Sequence, residues 1–170
     1  ESVEAIRRVH SAGVQVVMVT GDRRETAVAI ARDAGLLRAD GDLVLTSSDL
    51  AQMRDEEVQR VLPQLRVIAR ALPTDKSRIV RLSQKMNLVV GMTGDGVNDS
   101  PALRRADVGF AMGSGTEAGR DAGDIVILDD NFRSIKDAIL YGRTIYNNIL
   151  KFCRFQLVIN IAAVVVSAVA

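Results

Sequence analysis

The sequence predicts an α/β fold, a parallel sheet covered by helices on both faces, followed by one long helix. Two observations carry the first part. Short apolar, β-branched runs alternate with helical patterns, and the connections between them are short and rich in Gly, Pro and Asp. A third observation carries the second part. From Ser134 onward, Ile135, Ile139, Gly142, Ile145, Tyr146, Ile149, Phe152 and Cys153 recur at helical spacing with no breaker, and the pattern passes into residues 155–170, which hold no formal charge.

Taken in order, Val3, Ile6 and Val9 share one face of a first helix, which Gly13 ends. Residues 14–19 are a β-branched run, read as a buried strand that ends at Thr20-Gly21-Asp22. Thr26, Ile30 and Ala34 restore helical spacing and Gly35 stops it. A short strand is expected over 43–45, polar helical stretches over about 48–62 and a strand over 67–69. Pro73 then opens a helix carrying Ile79, Val80 and Leu82. Residues 88–92 are an apolar strand running into Thr93-Gly94-Asp95-Gly96. A short helix from Pro101, a strand over 108–111, a helix over 116–122 and a strand over 125–128 complete the alternation. The reading divides the chain into a domain over 1–133 and a stalk helix over 134–170.

Composition narrows the function. Hydrophobic residues are 48% of the 170 and charged residues 25%, enough for a packed core. The net charge of +1 offers no basic face, so nucleic acid is not an expected partner. Cys153 is the single cysteine, which rules out an internal disulfide and fits a reducing compartment. The chain opens without methionine inside a helical pattern and stops in an apolar run, and is expected to be a piece of a longer protein. A helix crossing a bilayer needs about 20 apolar residues. The final stretch approaches that length, and Arg143, Lys151 and Arg154 precede it as on a cytoplasmic flank.

Ligands of open parallel sheets sit beyond the carboxyl ends of the strands. Two strands here end in Thr-Gly-Asp, at Thr20-Gly21-Asp22 and Thr93-Gly94-Asp95, and the second extends to Gly96-Val97-Asn98-Asp99. Asp95, Asn98 and Asp99 gather hard oxygen ligands within a few residues, a set suited to Mg²⁺ with waters and phosphate oxygens completing its shell. A polar turn with Asn98 or Asp99 capping the next helix is the plainer alternative. It leaves two acidic groups crowded beside one another, which repel without a cation. Lys76 stands in the first turn of a helix, against the helix dipole, and from there could neutralise a transferring phosphoryl group. Arg70 follows a strand and, with Thr93 and Gly94, is a further candidate for the phosphate cleft; Thr20 offers a hydroxyl to a phosphate oxygen. His10 and Cys153 have no partner pattern for nucleophilic or zinc chemistry.

Thr20-Gly21-Asp22, Asp75-Lys76 and Thr93-Gly94-Asp95-Gly96-Val97-Asn98-Asp99, in this order, resemble the phosphorylation domain of P-type ATPases. The similarity continues through Asp129-Asp130-Asn131-Phe132, Gly142-Arg143 and Tyr146-Asn147-Asn148. The resemblance implies a haloacid-dehalogenase-like Rossmannoid sheet, present in part, running into a truncated fifth membrane helix. It implies that Thr20, with Gly21 and Asp22, contacts the phosphoryl group, that Lys76 stabilises its charge, and that Asp95 is the principal Mg²⁺ ligand with Asn98 and Asp99 completing the site. ATP would be the substrate. The partners would be the nucleotide-binding, actuator and membrane domains of a multi-pass pump, its lipid and its cation, with the phosphorylation domain in the cytoplasm. The family's phosphorylated aspartate lies in an Asp-Lys-Thr-Gly-Thr element, which is absent here. This piece alone is therefore expected to be inactive.

Phe155-Gln156-Leu157 followed by Asn160 resembles the fifth membrane helix of calcium pumps, in particular the plasma-membrane class and its bacterial relatives. Reticulum-type pumps carry an acidic ligand three residues beyond that asparagine, where this chain has Ala163, which argues against a second ion site. Asn160 is a candidate ligand of a transported Ca²⁺, a polar side chain in an apolar helix, with a helix–helix hydrogen bond as the alternative. The rival functions are another P-type pump (sodium–potassium or proton), a soluble phosphatase of the same fold, which would end near Leu128, and a non-catalytic regulatory module.

Overall fold

The computed structural model describes residues 2–169. They form two compact units, one reaching Ile135 and one beginning at Lys136. The first contains helices α1 (Ser2–Ser11), α2 (Arg24–Asp33), α3 (Ser47–Gln52), α4 (Asp55–Val61), α5 (Pro73–Lys85), α6 (Ser100–Arg105) and α7 (Glu117–Ala122). Between them run strands β1 (Met18–Val19), β2 (Leu43–Thr46), β3 (Leu65–Ala69), β4 (Gly91–Gly94), β5 (Val108–Met112) and β6 (Ile125–Ile127). Helix α8 (Phe132–Val169) starts in the first unit and supplies the second.

All strand pairs are parallel, in two three-stranded ladders of order β1-β3-β2 and β4-β5-β6. β3 shows why helices cover both faces of the first ladder. Ile68 faces a cluster with Leu45, Leu50, Val58, Leu62, Ile79 and Leu82, while Val67 and Ala69 face a second with Ile6, Ala27, Ala31 and Leu36. Successive side chains on a strand point to opposite faces, so a strand apolar at consecutive positions must be buried twice. α5 lays Ile79 and Leu82 against the first ladder, and its Val80 is buried too, as the apolar spacing predicts. In the second ladder, Phe110 and Ala111 of β5 are buried along with Ala102 and Leu103 of α6 and Ala122 of α7.

The structure differs from the sequence reading at two strands. The run expected over 14–19 forms ladder bonds only at Met18 and Val19, and the strand expected over 88–92 begins its ladder at Gly91. Each of these strands stands at one end of its ladder order and has a partner on one side only. Strong β propensity does not by itself make a ladder, which forms only where a neighbouring strand offers backbone groups in register. Leu88 and Val89, ahead of the ladder, are exposed, Val89 by 85%.

α8 is one unbroken helix of 38 residues, and its start is built by side chains. Asn131 accepts the Arg133 N–H at 2.9 Å, and the Ser134 hydroxyl donates to Asp129 at 2.7 Å. Among the described residues it is the one helix long and apolar enough to cross a membrane, with a mean hydropathy of 1.9 in its most apolar window. Within the second unit, the Gln156 amide donates to Asn160 Oδ1 at 3.4 Å, one turn on.

Leu82 has no exposed surface and sits in the larger cluster. Replacing it with alanine is expected to lower stability by about 2–5 kcal/mol, read as a shift in the denaturant midpoint without a change in slope.

Candidate functional site

The site forms at the carboxyl ends of strands, in two groups of bonded residues. The first surrounds the turn after β4. Lys76 lies in the first turn of α5, whose entry is fixed by the Asp75 carboxylate accepting the Leu72 N–H at 2.8 Å. Its Nζ meets Asp99 Oδ1 at 2.5 Å, and the two side chains are 17% and 9% exposed. The other oxygen, Oδ2, accepts the backbone N–H of Asp95 at 3.3 Å. Gly94 permits this closure, because a Cβ there would overlap the Asp99 side chain. Asp99 occupies the position before α6 where a cap would stand, yet its side chain makes no cap bond. Its carboxylate is spent on Lys76 and on the Asp95 backbone.

Asp95 and Asn98 are exposed, and their side chains engage no partner among the described residues. No group of three or more His, Cys, Asp or Glu side chains is poised to hold a metal among the described residues. The arrangement still suits Mg²⁺. That ion keeps several waters and binds through one or two protein oxygens plus substrate phosphate, so a free carboxylate beside a free carboxamide is a matching donor set. With Lys76 neutralised by Asp99, the Asp95 charge is the one left without a counter-charge in this group.

The second group surrounds the turns after β1 and β3. The Thr20 hydroxyl donates to Asp22 Oδ2 at 2.9 Å and accepts the Asp22 N–H at 3.1 Å, closing a tight polar turn across the exposed Gly21. The Arg70 N–H donates to the Asp22 carbonyl at 2.8 Å, and the Ala71 N–H donates to the Thr20 carbonyl at 2.9 Å. Arg70 holds φ 52, a left-handed conformation that long side chains seldom adopt, and the bond to Asp22 secures it. The residue is exposed. Thr93 lies within β4 opposite Phe110 and is exposed, adjoining Gly94.

A third element follows β5 and is absent from the sequence motifs weighed above. Residues 113–116 fold beneath Asp95, where the Thr116 N–H donates to the Asp95 carbonyl at 2.9 Å. Gly113-Ser114-Gly115-Thr116 is itself the signal, a glycine turn between a strand and a helix. Asp130 reaches back to this turn and accepts the Ser114 N–H at 3.2 and 3.3 Å. Hydrogen bonds from Ser114, its hydroxyl first and then its backbone N–H, hold the Asp130 carboxyl below the usual carboxylate range; the Ser134 hydroxyl does the same for Asp129.

Removing Lys76 leaves the Asp99 charge buried without its partner. Lys76→Ala is expected to destabilise the fold by about 3 kcal/mol, and Lys76→Ala with Asp99→Asn to recover part of that loss, as measured by a double-mutant cycle in denaturant.

Three comparisons bear on this architecture. A family model described as haloacid dehalogenase-like hydrolase matches residues 1–107. A calcium-transporting ATPase of Listeria monocytogenes is 45% identical over 161 residues, covering 95% of this chain and 18% of the relative. The human plasma membrane calcium-transporting ATPase 3 is 42% identical over 182 residues, covering 98% of this chain and 15% of the relative. The chain thus spans less than a fifth of the length of these pumps. The solved structure of a zinc-transporting PIB-type ATPase in its E2.Pi state superposes with a TM-score of 0.66 at 28% identity, over 88% of this chain and 20% of that one. By the match over 1–107 and the parallel strand–helix units within it, the chain belongs to the haloacid dehalogenase-like hydrolase family and is homologous to a segment of P-type calcium-transporting ATPases.

Proposed function

We propose that this chain is the C-terminal part of the phosphorylation domain of an ATP-driven, membrane-embedded calcium pump, together with the helix leading into its fifth span. The observation that carries the reading is the bonded set Lys76–Asp99–Asp95 at the end of β4, in a chain aligned along nearly its whole length with calcium-transporting ATPases. The reaction is transfer of the γ-phosphoryl group of ATP to an aspartate carried elsewhere in the protein, followed by hydrolysis of the acyl phosphate.

In this reading Asp95 and Asn98 would hold Mg²⁺, which when bound would neutralise charge on the phosphoryl oxygens. Asp99 keeps Lys76 at a fixed height beside them. Lys76 presents its ammonium to a phosphoryl oxygen in the transition state, where a charge already in place costs no reorganisation. Thr20 donates its hydroxyl to another phosphoryl oxygen, with its orientation set by Gly21 and Asp22. Arg70 adds positive charge at the rim, and Thr93 and Gly94 line the cleft floor.

The unpaired edges of β1 and β4 support an aspartate delivered by a separate strand. Each of these strands runs into Thr-Gly-Asp, and each has a ladder partner on one side only. A parallel strand pairing with both would bring its own carboxyl end between Thr20 and Asp95. The reading assigns the phosphorylated aspartate to such a strand.

α8 is the stalk and the start of a membrane span, with the domain before it on the cytoplasmic side. Its apolar residues Phe155, Leu157, Val158 and Ile161 are exposed, as suits contact with lipid or neighbouring spans. Each phosphorylation state would favour one arrangement of the helices, and α8 would carry the change to an ion held in part by Asn160. A soluble phosphatase of the same fold has no use for such a helix.

In the full-length protein, Asp95→Asn is expected to abolish phosphoenzyme formation from Mg-ATP, and normal acid-stable phosphate incorporation would refute the Mg²⁺ assignment. Asn160→Ala is expected to raise the Ca²⁺ concentration needed for half-maximal ATPase activity while leaving ATP affinity alone; an unchanged Ca²⁺ dependence would return Asn160 to packing.

A further inference from the structure

Asp95 is held from both sides by its backbone. Its N–H donates to Asp99 at 3.3 Å, and its carbonyl accepts the Thr116 N–H at 2.9 Å. The turn over residues 113–116 approaches that carbonyl so closely that a Cβ on Gly115 would stand 2.5 Å from it and 2.9 Å from the Met112 carbonyl. Both obstacles are backbone atoms, which cannot swing aside as the tip of a side chain would. The turn is itself anchored. Arg120 Nη1 donates to the carbonyls of Gly113 and Gly115, each at 3.0 Å, and Asp130 takes the Ser114 N–H from the other side. Thr116 begins α7 by accepting the Gly119 N–H at 3.2 Å. Among the described residues, the carboxylate of Asp95 carries no bond of its own. The backbone clamp therefore fixes the point from which this carboxylate projects.

We propose that Gly115 and Arg120 are positioning residues for Asp95, the turn over 113–116 acting as a brace that fixes the backbone from which its carboxylate reaches a divalent cation. The proposal deepens the reading of Asp95 given above and rests on it. The physical reason is the rigidity of the ion. Mg²⁺ demands near-octahedral geometry and tolerates little displacement of a ligand. Groups that orient a metal ligand without touching the metal typically change affinity about 10- to 100-fold when removed. Helix capping by Thr116 accounts for the α7 end of this turn. It does not account for a bare Cα against the Asp95 carbonyl, nor for an arginine spent on two carbonyls of the same turn.

The test uses the full-length protein without nucleotide, with Mn²⁺ as the probe ion and its free fraction read by electron paramagnetic resonance. Amide hydrogen exchange over residues 94–97 and 113–116 is recorded in parallel. Arg120→Ala, an exposed position with little expected effect on folding, should weaken Mn²⁺ binding about 10-fold or more and speed exchange at Thr116. Arg120→Lys, which keeps one donor, should recover part of the loss. Gly115→Ala should weaken binding at least as much, and if it fails to fold the arginine pair decides the matter. Unchanged Mn²⁺ affinity in a folded Arg120→Ala variant, with Asp95→Asn still abolishing binding, would overturn the brace and leave the Asp95 assignment standing. Unchanged affinity in Asp95→Asn would remove the assignment and the brace together.

Discussion

The ion pair between Lys76 and Asp99 is the contact on which the site depends. It joins the first turn of α5 to the residue before α6 across the end of β4, and its second carboxylate oxygen fixes the Asp95 backbone. A buried pair of this kind adds little net stability, because desolvation offsets most of the Coulombic gain. What it adds is placement. With one oxygen on an ammonium and the other on an N–H, the Asp99 carboxylate cannot rotate without breaking a bond, and the three elements it ties must keep their spacing. The same pair decides how the charges divide. Lys76 and Asp99 cancel, and Asp95 is left as a lone anion at the surface.

Much of the architecture was legible from the chain. The alternation of β-branched runs with helical spacing gave the parallel sheet, and the apolar positions of α5 and β3 gave the faces that are buried. The long unbroken pattern from Ser134 gave α8, which begins two residues earlier because Asn131 and Asp129 cap it. Strand lengths were less legible, since propensity acts within a segment while a ladder needs a neighbouring strand in register. Residues 14–17 and 88–90 have the composition of strands and stand outside the paired register.

For the site, residue types at strand ends could be read and their pairings could not. Asp99 lies 23 residues beyond Lys76, a distance over which helical and strand periods carry no information. Spacing alone groups Asp99 with Asn98 and Asp95, whereas the fold turns its carboxylate toward α5. The brace over 113–116 was hidden for a similar reason. A glycine turn after a strand is common, and nothing local marks that this one lies against Asp95. Arg70 is the opposite case, where the sequence suggested charge at the cleft and the structure added a left-handed backbone latched to Asp22.

The unpaired edges of β1 and β4 have a practical consequence. A strand with unbonded N–H and C=O groups on one flank is a template for any other extended segment, and natural sheets usually blunt such flanks with lysine, proline or a covering loop. Around β4 the adjoining residues are instead Leu88 and Val89, apolar and open to water. Such a flank favours edge-to-edge pairing with any extended segment that can reach it.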